Sequence, residues 1–495
     1  MQNMKNDLPA DIIELEQLLQ EALNDNPNLI AKYVMLGQQT AAIYYIETLV
    51  DQDLLQRDII QPLVNLVDVP FSNETERFPV AGIVEAEDVE AVVEKLLFGW
   101  VYLHSDDSRF NLLLNMYKPP DRSYSKPDAE NQVLGPQIAF TEILRSNIAL
   151  LQMYLPSPNL CQENLEIGQG SKTQLAMFYI KDLIDDELVK RVRDRINSLE
   201  IDGLIASAQL VQLIEDNKFT IFPQFILTER VDRASFSLSE GKIVVFVSGS
   251  PFAIICPSTM MDFFSSPEDH MVRWNMATFI RLLRVGAMVL SLLFTPLYVA
   301  ALTYHYEIIP SAMVVPLAES RTRVPFPPLM EALFLEITIE LLREAGARLP
   351  SKIGQTIGIV GGIVIGQAAV QAGFTSNILI IIVALGTLSS FVAPIYLMGI
   401  TIRIIRYPII ILAGFYGGIG IMISICFLVI HLLRATSLDQ PYLYPLYPFR
   451  KEDLKDSILR LPFSFLRRRS SYIKGEDTYR FEKQELSTSH GDIDE

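Results

Sequence analysis

The pattern of hydrophobic and polar residues changes abruptly near residue 280. Before that point short apolar runs alternate with charged residues, whereas residues 285–302 form a run of 18 residues without a charge. An α-helix rises about 1.5 Å per residue, so this run is long enough to cross the hydrocarbon core of a membrane. The pattern therefore predicts a soluble region followed by a membrane region.

More uncharged apolar runs follow the first, and the predicted spans are residues 285–302, 353–372, 378–402 and 409–433. One such run could be a buried helix of a soluble protein, but four in close succession favour a helical membrane bundle. We predict that this α-helical polytopic bundle occupies residues 271–433. A short charged C-terminal tail over residues 434–495 follows it.

The region before the bundle mixes two periodicities. Segments of β-rich composition alternate with segments whose apolar residues recur at helical spacing, which is typical of mixed α/β architecture. A polar, proline-bearing stretch over residues 118–130 indicates a long loop or a boundary. We predict two packed α/β subdomains, over residues 1–134 and 135–270. The predicted strands are residues 40–46, 100–103, 110–114, 175–180, 222–227, 242–247 and 252–256.

The first residues are polar and acidic, and they contain neither a basic segment nor an apolar core of the secretory type. We therefore expect the two subdomains to stay in the cytoplasm. The three cysteines, Cys161, Cys256 and Cys426, share no close spacing, so neither a disulfide framework nor a metal site is predicted.

Composition and motifs argue against nucleic-acid binding and catalysis. The formal net charge of -17 disfavours nucleic acid as a partner, because phosphate binding needs a basic face. The five histidines include no pair at helical spacing for a metal. Residues 168–173 resemble a phosphate loop, but Ser171 stands where glycine must precede the lysine. No Gly-x-Ser-x-Gly elbow occurs, so we predict no catalytic residues, no cofactor and no enzyme.

Glycine recurs every four residues in the second predicted span, at Gly354, Gly358, Gly362 and Gly366. This spacing lines one helix face with residues that lack side chains, so another helix can approach closely. We predict a helix-packing seam, either within one chain or between protomers.

A charged helix led by prolines is predicted just before the glycine helix, over residues 325–345. The prolines at its start are Pro325, Pro327 and Pro328. Its glutamates are Glu331, Glu336, Glu340 and Glu344. Carboxylates are costly in lipid, so they must face water, a pore or a partner such as Arg343. We predict a broken or re-entrant helix with Glu331, Glu336 and Glu340 as pore-lining candidates, since a ring of glutamates favours cations.

The side of the membrane on which the tail lies stays open. Four spans with a cytoplasmic N-terminal region place the predicted loop of Arg403 and Arg406 outside, against the positive-inside rule. A fifth crossing by the charged helix brings that loop inside but leaves the three arginines at 467–469 outside. The four-span and the five-span topologies therefore each violate the positive-inside rule once.

Five stretches of the chain carry a resemblance to a known family. They are GPQIAFTEILRSNIAL (135–150), DGLIASAQLVQLIED (202–216), FPQFILTERVDRASFSLSEGKIVVFVSGSPFAIICP (222–257), RVPFPPLMEALFLEITIELLREAGARLPSKIGQTIGIVGGIVIGQAAVQAG (323–373) and QPYLYPLYPFRKEDLKDSILRLP (440–462). These residues resemble those of the A subunits of GerA-type spore germinant receptors of endospore-forming bacteria. The resemblance extends over nearly the whole chain.

Several positions depart from that family. Leu134, Gln137 and residues 150–155 stand where the family has basic residues, and Val231 replaces a usual proline. Asp439 and Gln440 stand where a glycine is usual. The contacts that those basic residues make in the family are therefore not carried over to this chain.

The resemblance implies a subunit of the spore inner membrane that works with a transporter-like B subunit and a lipoprotein C subunit. Such complexes respond to nutrients by releasing monovalent cations and then dipicolinate. The A subunit is implied to be a homo-oligomer that forms the ligand-gated channel, with its soluble domains in the spore core. Three alternatives remain: a role in dipicolinate release, a solute carrier, and a non-conducting signalling scaffold.

Overall fold

A computed structural model describes residues 8–36, 39–64, 78–80, 82–106, 110–118, 126–349, 362, 364–462, 465–472, 475 and 477–480. The chain forms two compact units. The first, here called the sheet unit, comprises Met1–Lys218, Phe225–Ser258 and Phe463–Glu495. The second, the helical unit, comprises Phe219–Gln224 and Thr259–Pro462.

The first half of the sheet unit is an antiparallel sheet in the order β1-β2-β4-β5-β3. Its strands are β1 Leu29–Leu36, β2 Gln39–Ile46, β3 Ile83–Glu85, β4 Trp100–Ser105 and β5 Asn111–Asn115. Its helices are Ile12–Ala22, a segment of Gln52–Leu54, Leu55–Ile60 (π-helical) and Gln61–Val64, and Val89–Leu97. Both faces are covered: Tyr44 packs with the first and last helices, and its neighbour Ile43 packs with the middle segment.

The second half is another antiparallel sheet, in the order β6-β7-β9-β10-β8. Its strands are β6 Leu160–Ile167, β7 Thr173–Ile180, β8 Ile226–Thr228, β9 Ile243–Val247 and β10 Ala253–Cys256. Its helices are Leu144–Tyr154, Asp186–Asn197, Ser207–Ile214 and Val231–Ser239. Every residue of β9 is buried, which explains its uninterrupted apolar sequence.

The two halves repeat one topology. Numbered from its own first strand, each sheet runs first, second, fourth, fifth, third. In each half, helix precedes the first strand and also separates the second strand from the third and the third from the fourth. The two α/β halves predicted from the sequence are thus two copies of an αββαβαββ arrangement.

The tail contributes its last described residues to the sheet unit. The backbone N–H of Asp477 donates to the carbonyl of Asp182 at 3.1 Å, and Arg469 donates to the carbonyl of Ser239 at 2.6 Å. Arg480 pairs with Glu240 at 2.9 Å. The chain therefore returns to the sheet unit after the helical unit is complete.

The helical unit contains helices Trp274–Thr303, Ser311–Arg321, Pro328–Arg348, Asn377–Ser390 and Tyr396–Arg434. Among the described residues, two are long and apolar enough to cross a membrane: Trp274–Thr303 and Tyr396–Arg434. Asn377–Ser390 is apolar but shorter. The predicted span 285–302 lies inside the first of these helices.

The Tyr396–Arg434 segment is a hairpin of two helical arms that reverses at Gly417, whose φ is 60° and ψ is -138°. Thr401 donates to the carbonyl of Ile221 at 3.0 Å, and His431 lies 2.8 Å from the hydroxyl of the adjacent Thr220. In a straight helix Thr401 and His431 would be about 45 Å apart. A Cβ on Gly420 would meet the carbonyl oxygen of Leu412, so the arms touch just beyond the turn.

Two predicted spans differ from the structure. The run 378–402 is interrupted between Ser390 and Tyr396, because Pro394 cannot continue a helix from the residues before it. The run 409–433 contains the reversal at Gly417, which apolar composition alone does not reveal. Half of the predicted span 353–372 lies outside the described residues, and residues 364–371 of its described half are helical. Of the predicted strands, 222–227 is observed only as Ile226–Thr228.

Candidate functional site

The centre of the candidate site is an ion pair between two helices of the helical unit. Glu336, on Pro328–Arg348, accepts from Arg406 of the Tyr396–Arg434 hairpin at 2.7 Å, and the two side chains are 1% and 2% exposed. Thr295, on the Trp274–Thr303 helix, donates to the other carboxylate oxygen of Glu336 at 2.9 Å. Three helices thus meet at one carboxylate.

A second, looser pair lies one helical turn further along. Glu340 is 3.5 Å from Arg403 Nε and 3.5 Å from Arg343 Nη1, and its side chain is 41% exposed. The guanidinium of Arg343 also lies over the ring of Phe391, 4.3 Å from its centroid. Both ion-pair distances exceed those of good charge-assisted hydrogen bonds, so Glu340 is held less firmly than Glu336.

The first glutamate of the helix has its own partners. Glu331 is buried and accepts the backbone N–H of Ser376 at 2.6 Å and the hydroxyl of Thr375 at 3.2 Å. Arg321 lies 3.4 Å from its other oxygen. Because Ser376 is the N-cap of Asn377–Ser390, Glu331 also places a negative charge at that helix N-terminus.

Positive charge exceeds negative charge in the cluster formed by Glu336, Glu340, Arg343, Arg403 and Arg406. Several of its buried donors have no hydrogen-bond partner among the described residues, namely Arg343 Nη1 and Nη2, Arg403 Nε, and Arg406 Nε and Nη1. Such donors are costly in an apolar surrounding. The arrangement is therefore a polar cluster under electrostatic strain rather than a fully satisfied network.

The prolines and glycines predicted for the site are placed as follows. Pro327 is the N-cap and Pro328 the first residue of the helix, and Pro325 precedes both. Gly354 and Gly358 lie outside the described residues. Cβ atoms built on Gly362 and Gly366 would have no heavy atom within 4 Å. The packing seam therefore stays a prediction.

Sequence reasoning named Arg343, which lies near Glu340, but missed the other arginine partners of the glutamates. It placed Arg403 and Arg406 in a loop, whereas both lie inside the first arm of the hairpin, 5% and 2% exposed. The loop position is wrong because the helix restarts at Tyr396, ahead of both arginines. Two arginines spaced three apart in an apolar helix were the signal, since buried charges require partners.

The sheet unit contains a polar cleft of about 360 Å³ between its two halves. It is lined by Glu47, Thr48, Val50, Asp51, Gln52, Asp53, Lys118, Ile143, Arg145, Ser146 and Ala149. Arg145 pairs with Glu47 at 3.2 Å and Lys118 with Asp51 at 3.7 Å. The helix Leu144–Tyr154 begins at this cleft without a side-chain cap. Acidic and basic groups thus share one small, open space.

A family model described as Bacillus/Clostridium GerA spore germination protein matches residues 17–472. The chain belongs to this GerA family. It is 44% identical to spore germination protein GerQA of Bacillus cereus over 97% of this chain and 96% of that protein. It is 35% identical to spore germination protein KA of Bacillus subtilis (strain 168), over 92% of this chain and 86% of that one.

Two further similar proteins are a membrane protein and a crystallised domain. An uncharacterized membrane protein of Bacillus subtilis (strain 168), YfkQ, is 34% identical over 88% of this chain and 85% of that protein. A crystal structure of the N-terminal domain of the A subunit of the Bacillus megaterium spore germinant receptor GerK3 is similar to 52% of this chain. That match covers 99% of the crystallised chain, with 26% identity and a TM-score of 0.41.

Proposed function

We propose that this chain is the membrane subunit of a spore germinant receptor that forms its ligand-gated cation channel as a homo-oligomer. Membership of the GerA family supports the role in germination. The buried contact between Glu336 and Arg406 carries the channel part of the proposal. Ionisable side chains within apolar membrane helices are rare and often mark ion pathways.

A spore inner-membrane location follows from the same proposal, with several helices of the helical unit crossing the bilayer. The charged helix runs along the first hairpin arm in the opposite direction: Leu329 contacts Gly414, Glu336 pairs with Arg406, and Glu340 approaches Arg403. The charged helix and both arms of the hairpin are each about 25–32 Å long, enough to cross a hydrocarbon core or nearly so.

An even number of crossings is supported by the tail. Residues 469–480 contact the same compact unit as the N-terminal region, so both must lie on one side of the membrane. The crossings are Trp274–Thr303, Pro328–Arg348, the predicted 353–372, Asn377–Ser390 and the two arms of the hairpin. These six leave Arg343, Arg348 and the arginines at 467–469 inside, as the positive-inside rule favours, and leave Arg321 and Arg323 outside, against it.

The cleft of the sheet unit is the proposed ligand site. Its mixed lining suits a small molecule that carries both charges, because Glu47 and Asp51 attract a cationic group and Arg145 and the uncapped helix start attract an anionic one.

The proposed partners are a B-type transporter-like subunit, a C-type lipoprotein subunit and membrane lipid. Co-purification of these subunits with a tagged chain from spores tests the assembly.

Potassium release from spores tests the channel. Replacing Glu340 by Gln, alone and together with Glu336→Gln, should lower the rate and the cation selectivity of nutrient-triggered release. Glu344→Gln is the matched control, because Glu344 is exposed and pairs with Arg348 on its own helix. Unchanged release and selectivity in the double variant would overturn the pore assignment, provided that the protein accumulates normally.

A further inference from the structure

We propose that Arg403 and Arg406 form a latch that withholds the carboxylates of Glu340 and Glu336 from cations until the channel opens. This inference rests on the proposed channel function. The latch consists of two contacts between the charged helix and the first arm of the hairpin, Glu336 to Arg406 and Glu340 to Arg403.

The spacing of the four residues makes the latch a two-rung ladder. Glu336 and Glu340 are four residues apart on one helix, and Arg403 and Arg406 are three apart on the other. Residues at these spacings lie on one helix face, so two carboxylates of the charged helix face two guanidinium groups of the hairpin arm, and Arg343 adds a positive charge to the carboxylate face. Separation of the two helices would break both rungs.

The rungs differ in strength. The Glu336–Arg406 rung is short and buried and has Thr295 as a further donor. The Glu340–Arg403 rung is longer and half-open, and Arg343 competes for the same carboxylate. The Glu340–Arg403 contact therefore breaks first, and the Glu336–Arg406 contact sets the free-energy barrier to separation of the helices.

A third contact joins the same two helices near the start of the charged helix, and it can stay fixed while the ladder opens. A Cβ on Gly414 would lie 2.7 Å from the side chain of Leu329, so the two helices are in close contact there. Rotation about this contact moves the ladder apart while leaving the other end of the helices packed.

The charge balance explains why the paired state excludes cations. Three arginines face two glutamates, which leaves one excess positive charge within the cluster. That charge repels a permeating cation, whereas an unlatched charged helix would present the Glu336 carboxylate without an arginine partner and the Glu340 carboxylate with only Arg343 beside it. The same residues thus oppose conduction when paired and favour it when apart.

The experiment measures potassium release before any nutrient is added, in spores that carry the complete receptor. Arg406→Gln should raise this resting release by about tenfold or more, because breaking a buried ion pair shifts the closed-to-open equilibrium strongly. Arg406→Lys keeps the charge and should stay near the wild-type rate. Adding Glu336→Gln to Arg406→Gln removes the freed carboxylate and should restore a low resting rate.

Arg348→Gln is the matched control, because Arg348 and Glu344 form an exposed ion pair within the charged helix. The latch is overturned if Arg406→Gln accumulates normally without raising the resting potassium release. It is also overturned if the double variant releases potassium as fast as the single one. If Arg406→Gln fails to accumulate, the same test is made on the Glu340–Arg403 contact. Arg403→Gln should then raise the resting release, and Arg403→Gln/Glu340→Gln should restore a low rate. A wild-type receptor without nutrient-triggered release would instead reject the channel function itself.

Discussion

Glu336 and Arg406 join two helices of the helical unit through a contact of 2.7 Å, with both side chains almost completely buried. Neither charge has access to bulk water in this arrangement. Removing one partner leaves the other charge uncompensated, whereas replacing both by neutral groups removes the cost altogether. The stability of the helical unit therefore depends on the pair rather than on either residue.

The first prediction concerns that stability. Arg406→Met should lower the free energy of unfolding in detergent by about 3–5 kcal/mol, the range found when one partner of a buried pair is removed. Arg348→Met should cost less than about 1 kcal/mol, because its pair with Glu344 is exposed. Denaturant titrations of the purified chains measure both, and equal losses in the two variants would contradict the buried pair.

The second prediction concerns the reversal at Gly417. Spin labels attached at Ile404 and Ile430, in a Cys426→Ser background, should lie within about 25 Å of each other because packed helices are 8–10 Å apart. Both positions are exposed, and they are equally far from Gly417 along the chain. A straight helix would place them about 39 Å apart. A distance distribution centred near the longer value rules out the hairpin.

The third prediction concerns the tail. Arg480→Glu should place two like charges together at Glu240 and so expose the tail to protease several-fold more often. Exchanging the charges, with Glu240→Arg added, should restore the wild-type cleavage rate. Limited proteolysis of the full-length protein measures all three forms. If the exchanged form were cleaved as fast as the single variant, the contact would not hold the tail.

The fourth prediction concerns pH. His104 on β4 is 2% exposed, and burial lowers its pKa below the ordinary 6.5. Its ring nitrogens lie 3.3 Å from the carbonyl of Ala10 and 3.2 Å from the hydroxyl of Tyr102. The folded chain thus favours the neutral ring, so the unfolded chain takes up a proton first as pH falls below about 6.5.

The contribution of His104 to stability is therefore complete above its unfolded pKa and is lost as pH decreases toward the folded one. The protection factors of the β4 amides, which are exchange rates corrected for the intrinsic pH effect, should decrease between about pH 7 and pH 5.5. His104→Gln keeps polar atoms near both neighbours but does not titrate, so it should remove that decrease. An identical pH profile in the variant would assign the effect to another group.

Much of the sheet unit was predictable, because buried antiparallel strands leave clear apolar runs. The mixed α/β architecture and its two halves follow from such runs, for example β9 and β10. The short edge strands β3 and β8 were not predictable at their observed bounds. Three residues carry too little pattern, and their place is set by pairing with β5 and β10.

The helical unit was less predictable, for two physical reasons. Hydropathy records the apolar character of a run but not a change of direction within it, so the turn at Gly417 was hidden. The cost of buried glutamates predicted that partners exist, but not which ones. Arg406 reaches Glu336 only through the packing of helices that are distant in sequence, and Arg321 reaches Glu331 through the turn between two consecutive helices.

The return of the tail to the sheet unit has a consequence for biosynthesis. Asp477 and Arg480 leave the ribosome after every helix of the helical unit, yet they bind beside Asp182 and Glu240, which were made far earlier. Domains otherwise tend to fold in order of synthesis. Here the first-made half of the protein is completed last, so a nascent chain that stops short of its final segment lacks the closing piece of its own first domain.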